Sequence, residues 1–150
     1  MLGLVKLDAT RTHFLGKLPR AQYIRVLQVS AAHVYLTYPF VLSWSLLEAM
    51  ACAAPIVASR TAPVLEVVQH GRTGVLVDFF SPEAVADAVQ QMLSRPAHRC
   101  ALGAAARSAV QVFAIDEGNR GYGAALRVCT RAAMTERADK FDTKLVKELV

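Results

Sequence analysis

The sequence predicts an α/β chain built on a parallel sheet of about four strands with flanking helices. Three observations lead there. Short runs of β-branched and aromatic residues alternate with stretches whose apolar residues recur at helical spacing, the pattern of βα units. The strand-like runs are apolar without interruption, as expected when both faces of a sheet are covered. The chain has 150 residues, 54% hydrophobic and 19% charged, enough for one domain with a modest core and too apolar for general disorder.

The elements follow in order. "RTHFLG", residues 11–16, reads as a short strand ending in a glycine turn. "PRAQYIRVLQVS", residues 19–30, reads as a helix opened by Pro19, with Tyr23, Val26, Leu27 and Ser30 along one face. "HVYLTY", residues 33–38, is strand-like and is broken by Pro39. Ser43 or Ser45 then caps a helix reaching about Ala53. "PIVAS", residues 55–59, is a short apolar run suited to a buried strand. "PVLEVVQ" gives one or two helical turns, "HGRTG" a tight turn, and residues 74–78 the last strand.

Residues 81–95 predict a helix with Ser81 as cap, Pro82 at the first helical position and Glu83 in the first turn, ended by Pro96. A helix over 98–112 and a weaker one over 121–134 follow. We expect a domain over 1–135 and a charged tail over 136–150.

Several function classes find no support. The formal charge is +5, but Lys and Arg are interspersed with Asp and Glu, and no nucleic-acid motif occurs. No run of 18 apolar residues suggests a transmembrane segment, and Lys6 and Asp8 interrupt any signal-peptide core. Cys52, Cys100 and Cys129 are odd in number and widely spaced, which suits a reducing, cytoplasmic setting. The four histidines share no metal-binding or dyad spacing, so no metal site is expected. "GRTG" lacks the Lys of a P-loop.

The stretch "PFVLSWSLLEAMACAAPIVAS", residues 39–59, holds one ionisable side chain besides the thiol, Glu48. Ser45-Leu46-Leu47-Glu48 fits a capping box, which would make Glu48 a helix-start signal. Position suggests another use. In open parallel sheets, ligands bind at the carboxyl ends of the strands, and the start of a following helix favours phosphate. A carboxylate one turn into that helix can accept from a ribose diol, and together these features describe a nucleotide site.

The ordered string "FLGKLP…YIRVLQVSAAHVYLTYPFVLSWSLLEAMACAAPIVAS…APVLEVVQHGRTGVLVDFFSPEAVADAV" resembles the carboxyl-terminal domain of group 1 glycosyltransferases (family 4, the GT-B fold) over about Arg11 to Phe113. The resemblance implies a partial Rossmann-like domain that binds a nucleotide-diphosphate sugar and transfers the sugar with retention. It implies no further cofactor. Residue by residue, Glu48 matches the second glutamate of the E-x7-E motif and is expected to bind the donor ribose. Ser43, Trp44 and Ser45 match the loop and helix start facing the diphosphate and sugar, and Gly16, Lys17 and Leu18 match the loop beside the nucleobase. Glu66 and the "HGRTG" turn are landmarks read as structural.

There are departures. Phe40 stands where the first glutamate of the motif belongs, in wording that resembles a branch of the family. Ala53 stands where glycine is usual. The family's acceptor domain, and the opening of its donor domain with the Arg and Lys that neutralise the diphosphate, have no counterpart in the sequence. We therefore expect a truncated product, inactive as a transferase alone, with an amino-terminal domain or partner chain as its complement. The alternatives are a non-catalytic nucleotide-sugar-binding or assembly module, or an inert remnant. In the family order 3-2-1-4-5-6, residues 11–16 would be strand three, adjacent to or separated from strand four at Val34.

Overall fold

The computed structural model describes residues 7–38 and 41–113, with only the backbone at Val112. The helix expected over 121–134, the boundary at 135 and the tail over 136–150 lie outside the described residues.

Three parallel strands form the sheet: β1 (His33–Tyr35), β2 (Ile56–Ser59) and β3 (Val75–Val77), in the order β1-β2-β3. Helix α1 (Arg20–Val29) precedes β1, α2 (Trp44–Ala51) links β1 to β2, and the single turn α3 (Ala62–Leu65) lies between β2 and β3. Helices α4 (Pro82–Ser94) and α5 (Pro96–Val110) follow, and a 3-10 turn (Gln111–Phe113) ends the described part. The α/β class and the parallel order of the last three expected strands hold.

Side-chain alternation covers both sheet faces. Ile56, Ala58 and Leu76 join a core with Ile24 and Leu27 of α1, Leu46 and Met50 of α2, and Ala106 and Val110 of α5. Val57 and Val77 point the other way, onto Ala88 and Met92 of α4 and Leu102 of α5. All four residues of central β2 are fully buried. That accounts for the unbroken apolar run in its sequence. In α1 the buried positions are Ile24 and Leu27, and Ile24 is one that the expected apolar face had left out.

The strand expected at residues 11–16 is absent, so the described sheet has three strands and not four. The segment is irregular, begins with a turn in which the Arg11 N–H donates to the Asp8 carbonyl, and leaves Phe14 75% exposed. A strand needs a ladder partner, and none pairs with this segment among the described residues. The question of whether strands three and four are adjacent therefore does not arise.

Local signals explain the helix ends. The Ser81 hydroxyl accepts from the Ala84 N–H at 3.2 Å, with Pro82 and Glu83 in the first turn, as the sequence predicts for α4. Pro96 both stops α4 and starts α5, two residues ahead of the expected start. Helix α2 ends in a Schellman motif: the Ala53 N–H donates to the Met50 carbonyl, and the Ala54 N–H to that of Ala49. The motif puts Ala53 at φ 56°, a left-handed conformation that glycine takes more cheaply. Gly103 of α5 packs directly on the Ala53 carbonyl, and a Cβ there would collide with it.

The "HGRTG" turn is a backbone device, as expected. Gly71 takes φ +73°, and its N–H donates to the Gly74 carbonyl at 2.8 Å. The His70 Nδ1 accepts from the Leu76 N–H at 3.0 Å, tying the turn to β3.

Candidate functional site

Parallel strands bring their carboxyl ends to one edge, and the loop from β1 to α2 starts there. Two hydrogen bonds hold the strand ends together. The Thr37 N–H donates to the Ser59 hydroxyl at 3.0 Å, and that hydroxyl donates to the Thr37 carbonyl at 2.8 Å. The Ser43 N–H donates to the Tyr35 phenol oxygen at 3.0 Å, which anchors the start of α2 to the end of β1.

Ser43 is the N-cap of α2, and its hydroxyl accepts from the Ser45 N–H at 3.3 Å. The two serine hydroxyls lie 2.9 Å apart. The cap position settles the capping-box expectation against Ser45. With the helix starting two residues earlier than that box requires, Glu48 is too far along α2 to reach back to its cap. Trp44, the first helical residue, is 58% exposed.

Glu48 turns to α1 instead. Its side chain is only 14% exposed, and its Oε1 accepts from Arg20 Nη1 at 3.4 Å, a contact spanning 28 residues of sequence. Tyr23, one turn further along α1, lies beside Glu48; burial first, then the Glu48 charge and its hydrogen-bonding capacity, push the phenol up to about 12. A carboxylate with so little water around it needs such partners.

Arg20 follows the loop of Gly16, Lys17 and Leu18, with Pro19 between them. Gly16 takes φ +60°, so this loop turns where the sequence placed a glycine turn, and Lys17 is exposed. The Arg20–Glu48 pair therefore ties the start of α1 to α2, the helix that opens with Ser43, Trp44 and Ser45 and carries Glu48. Phe40 lies outside the described residues. Glu66 is an exposed C-cap of α3. Sequence reasoning missed Arg20 and Tyr23, and nothing local marks them, since their partner is on another helix. Among the described residues, no group of three or more metal-ligating side chains comes together, and no helix is long and apolar enough to cross a membrane.

A parallel three-stranded sheet covered on both faces by helices is a Rossmann-like α/β arrangement. The family profile described as "Glycosyl transferases group 1" matches residues 6–109, and the chain belongs to that family. Among curated relatives, it is 43% identical over 60 residues to D-inositol 3-phosphate glycosyltransferase of Pseudarthrobacter chlorophenolicus, covering 40% of this chain and 14% of the relative. It is 41% identical over 61 residues to GDP-mannose-dependent alpha-(1-6)-phosphatidylinositol monomannoside mannosyltransferase of Mycolicibacterium smegmatis, covering 41% and 16%. N-acetyl-alpha-D-glucosaminyl L-malate synthase of Bacillus anthracis is 36% identical over 101 residues, covering 67% and 26%. The chain thus spans a small part of the length of each of these relatives.

Proposed function

We propose that this chain is the donor-binding part of a group 1 glycosyltransferase and binds a nucleotide-diphosphate sugar at the carboxyl edge of its sheet. In this reading Glu48 takes the ribose hydroxyls. The start of α2 at Ser43, Trp44 and Ser45 faces the diphosphate and sugar, and the Gly16, Lys17 and Leu18 loop lies beside the base. Transfer itself requires an acceptor-binding part from outside the described residues. The observation that carries the reading is the place of Glu48: one turn into α2, 14% exposed, and joined through Arg20 to the loop entering α1.

The test is thermal melting of the 150-residue chain alone and with excess UDP, GDP or ADP. GDP is included because one relative's name specifies GDP-mannose. One nucleotide at about 100 times its Kd should stabilise the chain by about 2.7 kcal/mol. Glu48→Ala should remove most of that increment while the ligand-free melt stays cooperative. A wild-type melt indifferent to all three nucleotides would sink the proposal.

A further inference from the structure

We propose that Tyr23 and Arg20 of α1 are positioning residues, which hold the Glu48 carboxylate in the orientation that receives the ribose hydroxyls of the donor nucleotide. The inference rests on the reading of Glu48 as the ribose group and adds what orients it.

The argument begins with burial. Only 14% of the Glu48 side chain is exposed, so the orientation of its carboxylate is set by fixed protein partners and not by water. A capping box does not supply them, because the start of α2 is capped by Ser43. Both partners come from α1, where Arg20 and Tyr23 are three residues apart and so share a face. Tyr23 packs against the main core with its phenol beside Glu48. Arg20 reaches Oε1 at 3.4 Å from a half-exposed position.

The two partners differ in kind. Tyr23 is a short, packed lever with few rotamers, and with a phenol held protonated it acts toward Glu48 as a donor. Arg20 is a long, solvated side chain at a generous distance, which supplies charge more than direction. An ionised carboxylate offers about four acceptor sites, so two donors from α1 leave capacity for a vicinal diol. A carboxylate already oriented loses less freedom when the diol arrives, which strengthens ribose recognition in particular.

A purely structural role for the same contacts, pinning α1 to α2, predicts a different outcome. It would lower stability and weaken all ligands equally. The discriminating measurement is the affinity of the whole chain for the nucleoside diphosphate that stabilises it, against the 2′,3′-dideoxy counterpart, by calorimetry. The wild type should prefer the ribose form by about 10-fold or more, the range of hydrogen bonds to a charged group. Glu48→Gln should lose most of that preference. Tyr23→Phe should reduce it by about 3-fold or more, with dideoxy affinity unchanged, and Arg20→Gln should reduce it less. Arg20→Gln, at a half-exposed position, serves as the second variant should Tyr23→Phe not fold.

Full preference retained in both α1 variants, with loss only in Glu48→Gln, would overturn the positioning role and leave the site reading standing. Equal weakening of ribose and dideoxy forms by Tyr23→Phe would also overturn it, in favour of helix pinning. Preference retained in Glu48→Gln, or no binding of any nucleotide by the wild type, would remove the site reading and this inference with it.

Discussion

The two ends of α2 are built to opposite specifications. Its carboxyl end is sealed: Ala49, Met50, Ala51, Cys52, Ala53 and Ala54 are all buried, and the last turn is closed by its own main-chain hydrogen bonds and packed on by α5. Its amino end is polar and open, with Ser43 and Trp44 exposed and Glu48 bridged to a separate helix. Eight residues of helix therefore join a packing anchor to a candidate ligand edge. Substitutions at the sealed end should register in stability, and those at the open end chiefly in binding.

The largest effect is expected where α5 meets the sealed end. Gly103→Val puts carbon atoms into the Ala53 carbonyl, which belongs to the backbone and cannot swing aside. A loss of about 3 kcal/mol is expected in chemical denaturation. A neutral result would mean that α5 does not press on α2 as described. At the open end, Ser43→Ala removes the cap and should cost about 1 kcal/mol. A cost near zero would show that the Tyr35 hydroxyl on the Ser43 N–H holds the helix start unaided.

Ala53→Gly tests the sealed end from the other side. It relieves a left-handed alanine, and a rise in stability of about 1 kcal/mol is expected in the same assay. Lower stability would mean that the backbone freedom gained by the unfolded chain outweighs the relief.

The smallest effect concerns pH. The phenol of Tyr23 is raised from 10.0 to about 12 by burial and by Glu48. The folded chain then binds more protons than the unfolded one between these values. The Tyr23 contribution is complete below pH 10 and is lost as pH rises toward 12. Melting scans should show wild type losing more stability across that window than Tyr23→Phe. Identical slopes would remove the Tyr23–Glu48 contact from the comparison.

Much of this was legible in the chain. The caps at Ser43 and Ser81, the prolines at 82 and 96 and the glycine turn at 71 are local signals, readable because their partners are within a few residues. The apolar run at 56–59 announced a central strand because all four residues are buried. Two readings failed for one reason. "RTHFLG" has a strand-like composition but no ladder partner among the described residues, and Ser45-x-x-Glu48 has capping-box spacing but the wrong helix start. Each pattern is necessary for its structure and not sufficient.

Local chemistry thus specified most of the elements, the class of fold and, by its motif, the expectation placed on Glu48, since turn, cap and periodicity preferences act over a few residues. Which strands pair, and what Glu48 touches, depended on segments far apart in sequence. The bridge to Arg20 spans 28 residues, and the seat of Gly103 on Ala53 joins α5 to α2. Such contacts exist only once the chain is packed, because a nearly buried carboxylate takes whichever donors the fold brings within reach.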